Sequence, residues 1–264
     1  MTAVSVPRAV RVLRYPAPRA RRTRAVAPVP RSRPLWLFDL DNTLHDTSHA
    51  IFERINAGMT AAVCEALGCD VDTANQLRTR YWKRYGATVI GLVRHHGVDP
   101  HAFLHRSHDF DVCTLVKAER GLARRLAKLP GRKILVTNAP LHYARAVLAH
   151  LGILRAFDGL WALEQMRYHG DFRPKPSPAL LRHILAREGA VPAQAVLVED
   201  TLPNLRGARQ AGLRTVHVYH PGTPFARRQH GRPLYVDLRV NSIADLLLRK
   251  RPVRGRQAAG LLRP

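Results

Sequence analysis

Cysteine is scarce in this 264-residue chain, with three residues, Cys64, Cys69 and Cys113, and no C-x-x-C spacing among them. An odd set so spaced excludes a disulfide framework and speaks against a Cys-built zinc site, so reduced thiols and a cytoplasmic location are expected. No stretch approaches the roughly 18 consecutive apolar residues that a membrane-crossing helix requires. The leading segment also lacks the continuous apolar run of a secretory signal, and Pro16, Pro18, Pro28 and Pro30 interrupt the amphipathic helix an organellar signal would need. Acidic residues are missing from 1–33, which holds nine arginines, and are reduced to Asp237 and Asp245 in 221–264, against nine Arg and one Lys. Most of the formal net charge of +24 is therefore terminal, and 34–220 carries 24 basic against 17 acidic residues. Lysine is rare too, six of 43 basic residues, so an Arg bias of composition accounts for much of the excess. The tails also lack interleaved aromatics for base stacking, and they are read as a solvated fringe rather than a nucleic-acid surface.

What remains, at 46% hydrophobic and 23% charged, is ample for a globular core. Short apolar runs end in polar clusters at Leu35 to Phe38, Lys133 to Val136, Ala195 to Val198 and Arg214 to Val218, the pattern of buried parallel strands. Helical spacing recurs at Tyr143 to Leu151, Pro178 to Arg187 and Asn204 to Ala211. Strand and helix alternate, which predicts an α/β fold with a doubly wound parallel sheet. The interval 45–128 breaks the alternation with helices near 47–67, 72–84, 100–108 and 117–128, and reads as an inserted helical cap. The expected organisation is a basic segment 1–33, a core of 34–44 and 129–222, the cap 45–128, and a basic extension 223–264 with a short helical stretch near Ser242 to Leu248.

The chemistry is expected at the carboxyl ends of the strands, where open α/β sheets bind ligands. The first strand runs into Asp39-Leu40-Asp41-Asn42-Thr43, two carboxylates at alternate positions suited to a nucleophile and proton-donor pair on Mg²⁺. Alone, that spacing equally suits a turn and a cap. The second strand ends in Thr137-Asn138-Ala139, which offers a hydroxyl and backbone N–H groups to an anion. Lys175, in Arg173-Pro174-Lys175-Pro176, can set an ammonium on phosphate, and Glu199-Asp200 can complete an oxygen-only Mg²⁺ shell. Each residue has a bland explanation singly; the ordered set does not.

With these residues the sequence resembles the haloacid dehalogenase superfamily of aspartate-nucleophile phosphohydrolases over about 34–220. Its D-x-D-x-T motif is Asp39, Asp41 and Thr43, its second-motif Thr is Thr137, its third-motif Lys is Lys175, and its acidic fourth motif is Glu199-Asp200. Within that superfamily Tyr81 to Thr88, the Phe103 to Val112 stretch with His108-Asp109, and Leu129 to Lys133 resemble the pyrimidine 5′-nucleotidase branch, although Glu199 stands where that branch more often has Asp. The resemblance implies Asp39 as nucleophile, Asp41 as general acid and base, phosphate held by Thr137, Asn138 and Lys175, and Mg²⁺ held by Asp39, Asp41 and Asp200, with Glu199 as a further ligand. Asp41 speaks against a true dehalogenase, which has no alkoxide to protonate.

The implied substrate is a small phosphorylated metabolite, in this branch a pyrimidine nucleoside 5′-monophosphate. A sugar phosphate or phosphoglycolate is the alternative, since caps set specificity, and a nucleic-acid-binding protein on an inert scaffold is the rival of another class. In the cap, Tyr85 and Trp82 are candidates to stack on a base, against the plainer reading of them, with Tyr81 and Phe103, as cap-core residues. His101, His105 and His108 share a helical face and have a metal-binding alternative to an ordinary surface role. Asn204 is expected to support the acidic loop.

Overall fold

The computed structural model describes residues 33–47, 50–219, 232–248 and 253. The arginine-rich segment before residue 33, and the basic residues 220–231 and 249–264 other than 253, lie outside that set. No helix among the described residues is long and apolar enough to cross a membrane.

Six strands form one parallel sheet: β1 (Leu35–Phe38), β2 (Arg132–Val136), β3 (Gly159–Trp161), β6 (Ala195–Glu199), β7 (Arg214–Val218) and β8 (Leu238–Val240), in the spatial order β3-β2-β1-β6-β7-β8. The first half winds outward on one side of β1 and the second half on the other, so the order reverses between β1 and β6. That reversal opens a crevice at the strands' carboxyl ends. The register sets Phe38 beside Leu135 of β2 and Val198 of β6, which brings the residues following each strand to the same edge. All four residues of β1 are buried, as a strand covered on both faces requires. A small antiparallel hairpin, β4 (Arg167–Tyr168) with β5 (Asp171–Phe172), lies in the chain before Lys175.

Helices α6 (Leu141–His150), α7 (Pro178–Arg187) and α8 (Leu202–Gln210) complete the crossovers, and α7 starts with Ser177 accepting from the Leu180 amide ahead of Pro178 at its first position. The insertion after β1 holds α1 (Ile51–Leu67), α2 (Val71–Tyr85), α3 (Thr88–His96) and α4 (Pro100–Ser107). Asp70 and Asp99 cap α2 and α4 through the amides of Thr73 and Ala102. The helix α3 was not anticipated. Its N-cap, Ala87, offers no side-chain cap, so the local start signal is missing.

Two boundaries differ from the expected ones. The outgoing and returning chains of the insertion meet where the Asp46 amide donates to the Lys117 carbonyl at 2.8 Å. The helix after that point, α5 (Leu122–Lys128), buries Leu122 and Leu126 with Trp36, Phe38 and Leu135 against the sheet, and so packs with the core elements rather than with α1 to α4. At the other end the fold continues past 222. The strand β8 pairs in parallel with β7, and α9 (Ile243–Leu247) buries Ile243 and Leu246 in the same cluster, its first amides accepted by the Glu119 carboxylate.

Candidate active site

Beyond β1 the chain turns sharply at Asn42, whose φ of 55° is left-handed, while the Leu44 amide returns to the Leu40 carbonyl at 2.9 Å. The Asn42 side chain fastens this turn by accepting from both the amide and the hydroxyl of Thr47, at 3.0 and 2.7 Å. Asp39 emerges buried at the strand end and Asp41 half-buried beside it. Thr43 Oγ1 is buried without a partner among the described residues.

Lys175 is the centre of the cluster. Its Nζ lies 2.6 Å from Asp39 Oδ1 and 2.6 Å from Glu199 Oε2, and the side chain is only 2% exposed. Its backbone is held in turn by Asn138, which accepts from the Lys175 amide through Oδ1 and donates to the Lys175 carbonyl through Nδ2, both at 3.0 Å. Asn138 thus uses both ends of its amide on Lys175, and its side chain acts by placing the ammonium. Thr137 is buried, and its hydroxyl accepts from the Ala139 amide at 3.1 Å, which leaves the hydroxyl hydrogen to donate.

Carboxylate oxygens of Asp39, Glu199 and Asp200, all buried, lie within 4.8 Å of one another. Among the described residues, these three acids are grouped around the Lys175 ammonium, which pairs with two of them. Burial and the neighbouring charge of Glu199 push Asp39 up to about 7 in spite of Lys175, and burial, with Asp200 nearby, pushes Glu199 up to about 7. Burial works against the charge on Lys175, but the two carboxylates outweigh it and raise the ammonium above its ordinary value. A buried, oxygen-only set of three carboxylates fits a hard dication such as Mg²⁺. Glu199 already has a donor on each oxygen, Lys175 Nζ on Oε2 and the Thr201 amide on Oε1 at 3.1 Å. The acidic loop is steadied by His217, whose Nε2 donates to the Asp200 carbonyl at 3.1 Å.

Asp41 has a different environment. Burial raises its carboxyl, but the hydrogen bond and charge of His45 and the hydrogen bond from Tyr143 together hold it below its ordinary value. His45, Tyr143 and His217 were not singled out in the sequence. The only signal for His45 was its position four residues after Asp41, and Tyr143 passes for the first apolar position of a helix.

Among the cap candidates, Tyr85 hydrogen-bonds His95 Nε2 at 2.7 Å, and the guanidinium groups of Arg84 and Arg94 lie 5.5 and 5.4 Å from its ring centroid. Gly86, next in the chain, has a φ of 83° and runs so close to the Lys175 loop that a Cβ there would sit 3.1 Å from the Lys175 carbonyl. Trp82 is 48% exposed on the same helix. His105 stacks on His142 of α6 with ring centroids 5.2 Å apart, and His108 meets the edge of Tyr143 at 5.3 Å. Burial lowers His108 to about 4, so it is neutral at physiological pH. Asn204 lies in the first turn of α8, its amide donating to the Thr201 carbonyl at 3.1 Å.

The sequence is 27% identical over 202 residues to phosphate metabolism protein 8 of Saccharomyces cerevisiae, covering 72% of this chain and 62% of that protein. It is 27% identical over 230 residues to a phosphoglycolate phosphatase of Pseudomonas savastanoi, covering 80% and 76%. The chain thus spans less than two thirds of the length of the yeast relative. In three dimensions it is similar to a solved phosphatase of the haloacid dehalogenase type from Thermococcus onnurineus, with a TM-score of 0.55, 20% identity, and coverage of 81% and 95%. That likeness shows the fold. The family model described as haloacid dehalogenase-like hydrolase matches residues 35–212, from the first strand to the turn after α8, and the chain belongs to that family.

Proposed function

We propose that this protein is a Mg²⁺-dependent phosphomonoester hydrolase that passes through an aspartyl-phosphate on Asp39, with pyrimidine nucleoside 5′-monophosphates as its substrates. The observation that carries the reading is the buried Asp39–Lys175–Glu199 chain of ion pairs with the separately held Asp41 at the same strand end. Asp39, Asp200 and the Asp41 carbonyl are the groups that would hold Mg²⁺, with Glu199 serving chiefly as the counter-ion that fixes Lys175. When bound, the ion supplies positive charge that keeps Asp39 ionised and offsets the phosphate dianion.

The chain's own groups do the rest. An Asp39 oxygen attacks phosphorus in line, the bond from phosphorus to the leaving oxygen breaks, and Asp41 gives that oxygen its proton. The arriving phosphate dianion favours a protonated Asp41, because negative charge nearby raises a carboxyl. The Lys175 ammonium and the Thr137 hydroxyl hold the non-bridging oxygens. Asp41 then takes a proton from water as the water attacks phosphorus, the bond to Asp39 breaks, and inorganic phosphate leaves. Helices α1 to α4 act as a cap over this site, which we place at 47–116, between the two ends of the Asp46–Lys117 bridge. Tyr85, beside the Gly86 contact with the Lys175 loop, is its best placed side chain for a nucleobase.

Phosphoglycolate is the second reading, favoured by the 80% of this chain that aligns with a phosphoglycolate phosphatase. Phosphate release over a panel of pyrimidine and purine monophosphates, sugar phosphates and phosphoglycolate, with Mg²⁺ and with EDTA, separates the two. The expected result is Mg²⁺-dependent turnover with the highest kcat/KM on pyrimidine monophosphates. Preference for phosphoglycolate would overturn the nucleotide assignment, and no turnover of any ester would overturn the reaction.

A further inference from the structure

Asp41 Oδ1 accepts two hydrogen bonds at once, from Tyr143 Oη at 2.8 Å and from His45 Nε2 at 3.0 Å, while no hydrogen bond from a described residue reaches Oδ2. The two donors come from different directions in the fold. His45 follows the motif turn and its side chain is fully buried, and Tyr143 reaches over from the first turn of α6, 2% exposed. Both are fixed in place. Tyr143 is packed by the edge of His108 at 5.3 Å and by Phe110 at 6.3 Å, and the His45 ring is enclosed tightly enough that its Nδ1 is buried with no partner among the described residues. An ionised carboxylate oxygen can only accept, so Tyr143 donates its hydroxyl hydrogen and His45 its Nε2–H.

We infer that Tyr143 and His45 are positioning residues that saturate Asp41 Oδ1, so that the transferable proton resides on Oδ2 and the carboxyl plane is fixed toward the leaving oxygen. Neither touches substrate; both act through Asp41. Without them the carboxyl is free to rotate about its last bond and to carry its proton on either oxygen, and a misaligned acid loses most of the advantage of being held close. The inference rests on the phosphohydrolase reading and adds to it the pair that orients the acid.

Leaving-group dependence tests it. An alkoxide leaving group needs the proton, whereas 2,4-dinitrophenolate leaves without one, and kcat/KM reports only the steps through first release of the alcohol. Tyr143→Phe, which keeps the ring and its packing, and His45→Gln are compared with the parent on an alkyl monophosphate and on 2,4-dinitrophenyl phosphate, with thermal melts alongside. The expected result is a fall of about tenfold or more in kcat/KM on the alkyl ester in each variant, with change below about twofold on the dinitrophenyl ester. Asp41→Asn should show the same selectivity more strongly. Equal falls on both esters, no fall on either, or loss of the fold in both variants would overturn the positioning role. If the unaltered protein hydrolysed neither ester, it is the phosphohydrolase reading that would fail instead.

Discussion

Asn138 and Lys175 exchange two 3.0 Å hydrogen bonds, amide to backbone in both directions, across 37 residues of sequence. The second strand end is thereby fastened to the segment that carries the ammonium. Asn138→Asp keeps the acceptor for the Lys175 amide but loses the donor to its carbonyl, and adds a charge near a cluster already rich in acids. A buried carbonyl left without its donor costs about 1 to 3 kcal/mol. The expected outcome is a kcat at least about fivefold lower on p-nitrophenyl phosphate and a lower melting temperature, measured by colorimetric assay and calorimetry. An unchanged kcat would show that Lys175 is placed without Asn138.

The strands that frame this exchange were legible because each is a run of four or five largely apolar residues, as in Ile134-Leu135-Val136 and Ala195 to Val198, all buried. The edge strands were not. The strand β3 is three half-buried residues beginning at Gly159, and β8 sets Arg239 between Leu238 and Val240 in a basic stretch, so neither offers a long apolar run. The same division holds in the site. Asp39, Lys175, Glu199 and Asp200 announce themselves as an ordered set, acids at the ends of two sheet strands and a lysine just before a helix, although each singly has a plain explanation. Tyr143 and His217 were invisible because their partners, Asp41 and the Asp200 carbonyl, are set by how elements pack and not by spacing, and His45 offered only its position four residues after Asp41.

Asp39→Asn is expected to abolish turnover and leave the fold intact. The amide is nearly isosteric with the carboxylate but cannot attack phosphorus effectively. Lys175 keeps Glu199 as its counter-ion in the variant. Because burial already pushes Asp39 up to about 7, the metal-free parent carries much of this carboxyl protonated near neutrality, and neutralising it costs little stability. Phosphate release at high enzyme concentration, together with a melt in EDTA, checks both halves. Turnover near that of the parent in a clean preparation would exclude an aspartyl-phosphate.

Mg²⁺ affinity should depend on pH with a defined sign. Asp39 and Glu199 are both raised to about 7 in the metal-free protein, so protons compete with the dication as pH falls through that value. The apparent Kd is expected to rise by about tenfold per pH unit for each proton displaced, between about pH 7.5 and 6, as read by calorimetric titration in two buffers of different ionisation enthalpy. Stability without metal carries the opposite sign. Folded carboxyls raised above their ordinary values of 3.8 and 4.5 contribute stability that is complete below those values and lost as pH rises to about 7. His108 and His217, both lowered to about 4 by burial, contribute stability present above 6.5 and lost as pH falls through about 4, which offsets the carboxyls over most of that range. In EDTA the melting temperature should therefore be nearly level from about pH 4.5 to 6.5 and then decline slightly toward pH 7. A Kd independent of pH would remove Asp39 and Glu199 from the ion's neighbourhood.

Cutting the chain after residue 222 should destroy the fold rather than trim a tail. The sequence alone places a boundary there, because the residues beyond are basic and lack a long apolar run. In the structure Val236, Val240, Ile243 and Leu246 are buried, and burying a side chain of that size contributes about 1.5 to 3 kcal/mol. Asp237 is buried at the same edge and joins three elements. Its Oδ2 accepts from the Thr215 amide at 2.9 Å, and its Oδ1 pairs with Arg209 of α8 at 3.1 Å. Removing the segment leaves Arg209 and the Thr215 amide without that acceptor and opens β7, which carries His217 and through it the Asp200 loop, as a bare sheet edge. The summed loss is comparable to the whole stability of an ordinary domain, about 5 to 15 kcal/mol. The shortened chain is expected to be insoluble or to lack a cooperative melt, and to lack phosphatase activity, as judged by calorimetry and phosphate release beside the full chain. A soluble 222-residue chain with the parent's melting temperature and kcat would show that β8 and α9 are dispensable, and that the acidic loop holds its shape without a neighbour on the far side of β7.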